Sequence, residues 1–384
     1  MRVSGTEKLM ISLSSLFNEN GHQVYLFPLI TPFDKEFIQS IEQSGKPLKI
    51  LFPSIINKFD AFFWKLNGLT ISLFNWSSRS FFLQKYLSSQ CKKLGIELSI
   101  SNSHTTDSFM YSLHKMIGLK YVIIDHGSYV AYITNGEGFN SDALKNSSVI
   151  VGVSKWTVQT LRSKFPDLNI RLVYNGYVST PSSPVTMPLK QKLEQPGYFI
   201  FCMHGRGDPQ KGWEIAIEAY YLVKNKGFKV KLLILAESDH ISLLKTLYER
   251  DSDLMFAGFC YNLADIFKHV NAGLVLSKRH EAFGLSTLDY FNSGIPVIAS
   301  RIGGIPEVVN FERLRGGLLV DVVNGIPSVE DTAKKMEELI LNVNLYNALS
   351  EDAKAIAENF SLKRCFSAYE DLFNEVLKVN ADEQ

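Results

Sequence analysis

The sequence predicts an α/β protein of two domains, each a doubly wound parallel sheet. The chain has 384 residues, more than one hydrophobic core usually organises, so two domains of ordinary size are expected. Hydrophobic residues make up 46% of the chain, which argues against disorder. In the second half, apolar runs alternate with amphipathic stretches, a pattern typical of buried strands separated by helices.

The first half, residues 1–180, is predicted to be the first domain. An opening helix is expected over Glu7–Asn18, with further helices over 107–117 and 154–164, the last capped by Ser154. The predicted strands are Gln23–Phe27, Glu97–Ile100, Tyr121–Asp125, Val149–Val153 and Arg171–Tyr174. The stretch Val178–Pro188 is rich in Ser, Thr and Pro without periodicity, so we predict an interdomain linker over 181–196.

The second half, residues 197–362, has the clearer pattern and is predicted to be a Rossmann-like domain. A C-terminal helix over 363–384 is expected to pack back toward the first domain. The predicted helices span about 212–226, 240–250, 262–270, 284–293, 305–311 and 328–344. The predicted strands are Tyr198–Met203, Val230–Ala236, Leu254–Gly258, Gly273–Leu276, Pro296–Ser300 and Gly317–Val320.

Charge, cysteine use and hydropathy limit the location and the partners. Residues 1–180 carry 18 Lys/Arg against 12 Asp/Glu, and residues 181–384 carry 22 against 27, so the first half is the basic half. We expect no nucleic-acid partner, and the sequence carries no signal of oligomeric state. Four widely spaced cysteines predict a reduced cytoplasmic protein, and no apolar run reaches the roughly 20 residues that span a bilayer.

Aromatic and basic residues are mixed between Leu48 and Leu87. Such a mixture suits an interfacial helix or loop on anionic lipid. The same apolar residues could equally face inward from ordinary helices of the first domain. Any membrane contact is expected to be peripheral, on the inner face of the cell membrane.

The stretch from Arg279 to Glu307 contains two acidic residues, Glu281 and Asp289, separated by seven positions. A helix over Gly284–Ser293 would leave Glu281 in the preceding loop and put Asp289 about two turns inside. Two acceptors at different depths suit a ligand with many hydroxyl groups, and free N–H groups at the helix start suit a diphosphate. The alternative is a buried α/β core with a charged loop.

A second candidate lies after the strand Tyr198–Met203, where Arg206 and Lys211 occupy the strand-to-helix loop. Open α/β sheets bind ligands at this edge, and two cations beside a helix start suit a diphosphate. Gln210 breaks a G-x-G-x-x-G motif and Gly212 breaks a Walker A motif. The alternative is that both cations are solvated surface residues.

A third candidate is His126, just past a predicted buried strand, with Gly127 and Ser128 expected to open a loop. A single histidine at a strand end is also commonly structural.

Eight motifs together resemble family 4 of the retaining, nucleotide-sugar-dependent glycosyltransferases. That resemblance implies a GT-B fold, two Rossmann-like domains facing across a cleft. The motifs are G-T-E-K at 5–8, D-H-G-S at 125–128, V-S-K at 153–155, Y-N-G at 174–176, G-R…K-G at 205–212, F-x-G-F at 256–259, H-E-A-F-G-L at 280–285 and G-I-P-V-I-A-S…G-G-I-P-E at 294–307.

The resemblance implies a role for each matching residue. Arg206 and Lys211 would bind the donor diphosphate, Glu281 the donor sugar and Asp289 the ribose. His126 would reach the donor sugar from the first domain, and with Glu281, Arg206 and Lys211 it would form the catalytic set. No metal or other cofactor is implied. The implied donor-binding residues are Arg206, Lys211, Gly258, Glu281, Phe283, Gly284, Leu285 and Asp289, and the implied acceptor-binding residues are Gly5 and Thr6.

Two departures from the family pattern affect these expectations. The family usually has Glu at the second acidic position, and Asp289 is one methylene shorter, so its ribose contact is expected to be looser or water-mediated. The family also opens with an apolar strand and a Gly-rich loop ahead of the G-T-E-K helix. Either the sequence is truncated at its start or the first sheet lacks a central strand, and residues of the acceptor loop are expected to be missing.

The expected activity is transfer of a hexosyl or N-acetylhexosaminyl group with retention of configuration. A UDP-sugar is favoured as donor over GDP-mannose, and the acceptor is expected to be a glycan, in particular a lipid-linked intermediate of surface polysaccharide assembly. A nucleotide-sugar epimerase, a phosphorylase and a non-catalytic nucleotide-binding partner subunit are the alternatives.

Overall fold

The computed structural model describes residues 5–27, 49–51, 78–178, 187–260 and 263–378. They form two compact units. Unit 1 comprises the described residues up to Val153, together with Thr157–Val173 and the chain from Phe366 onward. Unit 2 comprises Ser154–Trp156 and Tyr174–Cys365. Most of the aromatic and basic segment predicted between Leu48 and Leu87 lies outside the described residues.

Unit 1 contains a four-stranded parallel sheet of order β3-β4-β5-β6 and a separate parallel pair, β1 and β2. The two central strands of the sheet are buried along nearly their whole length, as their apolar sequences predict. The elements in chain order are α1 Gly5–Glu19, β1 Tyr25–Leu26, β2 Lys49–Ile50, α2 Ser78–Leu94, β3 Leu98–Ser101, α3 His104–Ile117, β4 Lys120–Asp125, α4 Ser128–Asn135, α5 Asp142–Lys145, β5 Val149–Gly152, α6 Lys155–Lys164 and β6 Ile170–Leu172.

Unit 2 contains a six-stranded parallel sheet of order β12-β11-β10-β7-β8-β9 and a short antiparallel pair, β13 and β14. The α/β class with parallel sheets is therefore confirmed. The elements of unit 2 in chain order are α7 Met187–Leu193, β7 Phe199–His204, α8 Trp213–Asn225, β8 Val230–Leu235, α9 Asp239–Leu247, β9 Leu254–Phe256, α10 Ala264–Phe267, β10 Ala272–Val275, α11 Leu285–Phe291, β11 Val297–Ser300, α12 Ile305–Val309, β12 Gly317–Val320, β13 Val322–Val323, β14 Ile326–Pro327, α13 Val329–Leu341 and α14 Val343–Asn359. The last helix, α15 Leu362–Lys378, begins in unit 2 and belongs to unit 1 from Phe366 onward.

Helix α1 and the C-terminal helix α15 pack together within unit 1. The ring of Phe17 lies 4.6 Å from that of Phe366 and 5.7 Å from that of Phe373. His22, just after α1, pairs with Glu370 at 2.8 Å. The aromatic contacts explain why α15 keeps one apolar face over its whole length.

The segment after β4 differs from the predicted loop, because helix α4 begins at Ser128. The carboxylate of Asp125 accepts N–H groups of Gly127, Tyr129 and Val130 at 3.0–3.2 Å. That one side chain satisfies the free donors at the helix start. The segment has no hydrophobic periodicity that would predict a helix. The helix start is stabilised instead by a cap from the last residue of the preceding strand.

The predicted linker contains helix α7, which is bound to the sheet of unit 2. Lys231 on β8 is 1% exposed. Its ammonium group donates to the carbonyl of Lys192 and to the side chain of Gln195. A buried ammonium is stable only when its donors are paired, so the segment just before β7 is held in place.

Candidate functional site

The sheet of unit 2 reverses its direction of growth between β7 and β10. From β7 the chain adds β8 and β9 on one side, then returns to place β10 on the other side of β7 and continues to β11 and β12. In open parallel sheets, ligands bind outside the carboxyl ends of the strands at such a switch point. The loops that follow β7 and β10 are therefore the candidate site.

These two loops are in direct contact. Gly212 has a φ of +80°, and a Cβ atom at this position would lie 2.1 Å from the carbonyl oxygen of Leu276. The N–H of Lys278 donates to the carbonyl of Gln210 at 2.8 Å. Only glycine permits this approach. The glycine that follows Lys211 is therefore required by the contact between the two loops.

Lys211 and Glu281, predicted from separate motifs, form an ion pair. The Lys211 Nζ atom lies 2.6 Å from Glu281 Oε1, and the side chains are 19% and 15% exposed. The hydroxyl of Ser277 also donates to Glu281 Oε1. Burial would raise the pKa of Glu281, but the Lys211 ammonium and the two hydrogen bonds hold that pKa below its ordinary value.

The predicted Gly-Gly turn, Gly303 and Gly304, packs against the backbone of the loop that carries Glu281. A Cβ atom on Gly303 would lie 2.4 Å from the Glu281 carbonyl oxygen, and one on Gly304 would lie 2.2 Å from that of Ala282. The N–H of Gly304 donates to the Glu281 carbonyl at 2.7 Å. The hydroxyl of Ser154 donates to the Ala282 carbonyl at 2.6 Å, a contact that the predicted capping role of Ser154 did not include.

Asp289 lies beside a histidine that the sequence analysis did not select. It is the fifth residue of α11, because the helix begins at Leu285, so it lies about one turn inside the helix instead of the predicted two. Its Oδ2 atom is 3.5 Å from Nε2 of His204, the last residue of β7. The pKa of the Tyr177 phenol is raised to about 12, mainly by burial and secondly by the charge of Asp289.

The other predicted residues of unit 2 lie on the same loops or on a neighbouring one. Arg206 is exposed after β7, and Gly258 follows β9 with a φ of +77°. The side chain of Phe283 is buried against Tyr174 and Phe360, which leaves only its backbone for a ligand. Gly284 has a φ of +88° and immediately precedes Leu285.

His126 lies in unit 1, directly after β4. Burial lowers the pKa of its imidazole to about 4, so the ring is neutral at physiological pH. Among the described residues, neither ring nitrogen has a hydrogen-bond partner. Gly5 and Thr6 are the first residues of α1.

Some residues that contact the candidate site were not predicted from the sequence. Ser277 contacts Glu281, and the Asp208 carboxylate pairs with Arg279 at 3.2 Å across the two loops. Two features of the sequence could have marked candidates: Asp208 lies two residues after Arg206, and His204 is a polar residue at the end of an apolar strand. Neither feature identifies a partner 70 or more residues away.

The described ranges contain no group of three or more His, Cys, Asp or Glu side chains that could hold a metal ion. No helix within them is long and apolar enough to cross a bilayer.

Several sequence relatives match part of this chain. An uncharacterized glycosyltransferase of Methanocaldococcus jannaschii, MJ1178, is 26% identical over 69% of this chain and 71% of its own length. N-acetyl-alpha-D-glucosaminyl L-malate synthase of Bacillus anthracis is 25% identical over 70% of this chain and 71% of its own. The capsular polysaccharide biosynthesis glycosyltransferase CapM of Staphylococcus aureus is 25% identical over 47% of each chain.

A solved structure shares the fold over nearly the whole length. The Anabaena protein HepE, crystallised in complex with UDP and glucose, superposes with a TM-score of 0.72 at 16% identity, covering 97% of this chain and 98% of its own. The predicted GT-B fold is thereby confirmed. The sequence profile described as glycosyl transferases group 1 matches residues 188–356, which include both loops of the candidate site. We conclude that residues 188–356 of this chain are similar to the glycosyl transferases group 1 family.

Proposed function

We propose that the protein transfers a hexosyl or N-acetylhexosaminyl group from a nucleotide-diphosphate sugar to a glycan acceptor, with retention of configuration. The observation that carries this proposal is the pairing of Lys211 with Glu281 at the β7/β10 switch point. The pairing brings the cation that we propose for the diphosphate and the carboxylate that we propose for the sugar to the edge where parallel sheets bind nucleotides.

The donor would lie along the two loops. Arg206 and Lys211 would bind the diphosphate, together with the N–H groups of Phe283, Gly284 and Leu285. Glu281 would accept hydroxyl groups of the sugar. The ribose hydroxyls would bind Asp289, which is 32% exposed, and Gly258 would lie beside the nucleoside.

Lys211 donates to Glu281, and donor binding would redistribute that charge. A diphosphate offers Lys211 a stronger anion, and its arrival would release Glu281 to accept sugar hydroxyls. In the reaction, the bond between the anomeric carbon and the diphosphate oxygen breaks, the acceptor oxygen bonds to the same face of that carbon, and the proton of the acceptor hydroxyl passes to the leaving diphosphate. The two cations would stabilise the charge that grows on the leaving diphosphate, and we propose that this replaces a metal ion.

The roles of three residues in unit 1 rest on the family resemblance. We propose that His126 contacts the donor sugar as a neutral imidazole, in keeping with the pKa of about 4 that burial gives it. Gly5 and Thr6 would contact the acceptor.

A UDP-sugar is our first choice of donor, and GDP-mannose the second. HepE supports the first because it was crystallised with UDP and glucose. For the acceptor we propose a lipid-linked intermediate of a surface polysaccharide, which the likeness to CapM supports. The likeness to a malate-modifying enzyme favours a second candidate, a soluble small-molecule acceptor.

Peripheral contact with anionic lipid is part of the first proposal. On α2, the side chains of Phe81 and Phe82 are 38% and 43% exposed, and Lys85 lies 5.5 Å from the ring of Phe81. Exposed aromatic rings beside a lysine suit the interfacial region of a membrane. Pelleting with phosphatidylglycerol vesicles but not with phosphatidylcholine vesicles is the expected result, and lack of pelleting with either would favour the soluble acceptor.

The first test is thermal stabilisation by UDP, GDP, ADP and their sugars, with and without a chelator. One nucleoside diphosphate should stabilise the protein equally in both conditions. An epimerase would convert the donor without any acceptor, and a non-catalytic subunit would bind without turnover. Product analysis with and without added glycan acceptor separates these possibilities.

Arg206→Ala is the variant that tests the proposed mechanism. Removing one donor to a developing negative charge lowers kcat by a factor of about 10²–10³. Arg206 is exposed, so the melting temperature should stay near that of the wild type. Arg315→Ala, another exposed arginine outside the site, is the matched control. Turnover by Arg206→Ala within a few-fold of the wild type would exclude this role.

A further inference from the structure

His204 is a buried polar residue at the end of an otherwise apolar strand. Its side chain is 9% exposed. Its ring packs edge-on against Phe267 and Tyr290, with centroid distances of 5.7 Å and 4.9 Å. The Tyr290 hydroxyl donates to the Cys202 carbonyl at 2.7 Å, which fixes one wall of the pocket. The imidazole is therefore held in one orientation by its neighbours.

The Nε2 atom of His204 faces oxygen atoms of α11. It lies 3.5 Å from the Asp289 carboxylate and 3.4 Å from the carbonyl oxygen of Ser286. Both are acceptors, so a proton on Nε2 is the arrangement that satisfies them. The contacts are longer than ordinary hydrogen bonds, but attraction between an N–H dipole and a carboxylate persists at this distance because the His204 ring is largely shielded from water.

We propose that His204 is a positioning residue, which holds the Asp289 carboxylate where it binds the ribose hydroxyls of the donor. This inference rests on the proposed function, in which Asp289 binds ribose. It adds that the short side chain of Asp289 works together with a histidine on the neighbouring strand. The pair sets the preference for ribonucleotides over nucleotides that lack the ribose hydroxyls.

A simple packing role for His204 predicts a different result. If the ring only filled space between Phe267 and Tyr290, its loss would weaken all nucleotides alike through a small movement of α11. If the ring orients Asp289, its loss should affect only ligands whose ribose hydroxyls Asp289 can contact. The ratio of the affinity for a ribonucleotide to the affinity for its dideoxy counterpart therefore distinguishes the two roles.

The experiment measures the Kd of UDP and of 2′,3′-dideoxyuridine diphosphate by calorimetry, with GDP and its dideoxy counterpart as a second pair. The variants are His204→Phe, which keeps an aromatic ring, and His204→Gln, whose amide nitrogen can occupy the position of Nε2. Asp289→Asn and the double variant His204→Phe with Asp289→Asn complete the set. If His204→Phe does not fold, His204→Asn replaces it, because its shorter amide cannot reach the Nε2 position.

We expect the wild type to prefer the ribonucleotide roughly tenfold, as for a hydrogen bond to a charged group. His204→Phe should reduce that ratio to the value of Asp289→Asn and leave the dideoxy affinity unchanged, and His204→Gln should keep most of the preference. The double variant should lose no more of the preference for the ribonucleotide than either single variant does. An unchanged ratio in His204→Phe would overturn the inference alone, whereas failure of the wild type to bind either ribonucleotide would overturn the proposed function with it.

Discussion

At the scale of single residues, the pair Lys211 and Glu281 has a structural role besides its proposed functional one. Both side chains are largely buried, and a buried charge that loses its partner costs far more than the pair contributes. The depressed pKa of Glu281 means that the pair stabilises the folded protein above the ordinary pKa of glutamate. That contribution is lost as the pH falls through the lower, folded-state pKa.

Lys211→Met should therefore destabilise the protein in a pH-dependent way. Without the ammonium, burial raises the pKa of Glu281, so the deficit relative to the wild type grows as the pH rises above about 4.5. We expect a loss of about 3 kcal/mol in the free energy of unfolding at pH 8, and less at pH 4. Denaturant unfolding at both pH values measures it.

The double variant Lys211→Met with Glu281→Gln separates the structural role from the functional one. It leaves no unpaired charge, so it should recover most of the lost stability and still be inactive in transfer. Lys226→Met is the matched control, because Lys226 is 57% exposed in its pair with Glu337 and such pairs contribute about 1 kcal/mol or less. Recovery of activity in the double variant would contradict the proposed role of Lys211.

At the scale of elements, the strands of unit 2 were predictable because both faces of a parallel sheet are buried. The predicted runs Val230–Ala236 and Gly317–Val320 match β8 and β12 to within one residue. Helix α10, by contrast, is only Ala264–Phe267, shorter than the predicted 262–270. Helix α4 was missed because its cap is the side chain of Asp125, which the sequence presents as the end of a strand.

The Gly-Gly turn is the element whose role can be tested most directly. Gly304 has a φ of −83°, which alanine adopts freely, so the close approach of the Ala282 carbonyl and the Ser154 hydroxyl is what forbids a larger residue. Gly304→Ala must push back the loop that carries Glu281. We expect a loss of about 1–3 kcal/mol in stability, typical of overpacking, and at least a tenfold loss in donor affinity, measured by thermal unfolding and calorimetry.

The control for Gly304→Ala is Gly138→Ala. Gly138 is exposed, and a Cβ atom there would meet nothing within 4 Å. Its replacement should leave stability and donor affinity unchanged, or raise stability slightly by restricting the unfolded chain. Equal donor affinity in Gly304→Ala and the wild type would show that the turn does not position Glu281.

At the scale of the whole molecule, the sequence indicates which residues form the site better than how they are connected. Glu281, Arg206 and Lys211 were identifiable because each stands in a loop between a strand and a helix. The contact of Lys211 with Glu281 depends on β7 and β10 being neighbours in the sheet. Which strands are neighbours depends on strand order, which no local sequence pattern encodes. The proposed role of His204 depends on strand order in the same way.

Two units with separate cores should respond differently to the donor. The core of unit 2 includes Phe201 on β7 and Leu232 on β8, next to the residues proposed to bind the nucleotide. A ligand that binds only the folded state stabilises it by about 2.7 kcal/mol at 100 times its Kd. The slowly exchanging amides of β7 and β8 should then gain about 100-fold protection on addition of UDP, and those of β4 and β5 should gain little. Native-state hydrogen exchange measures both sets at once, with Lys211→Met as the control that shows no gain. Equal protection of β4 and β5 would mean that the two units unfold as one.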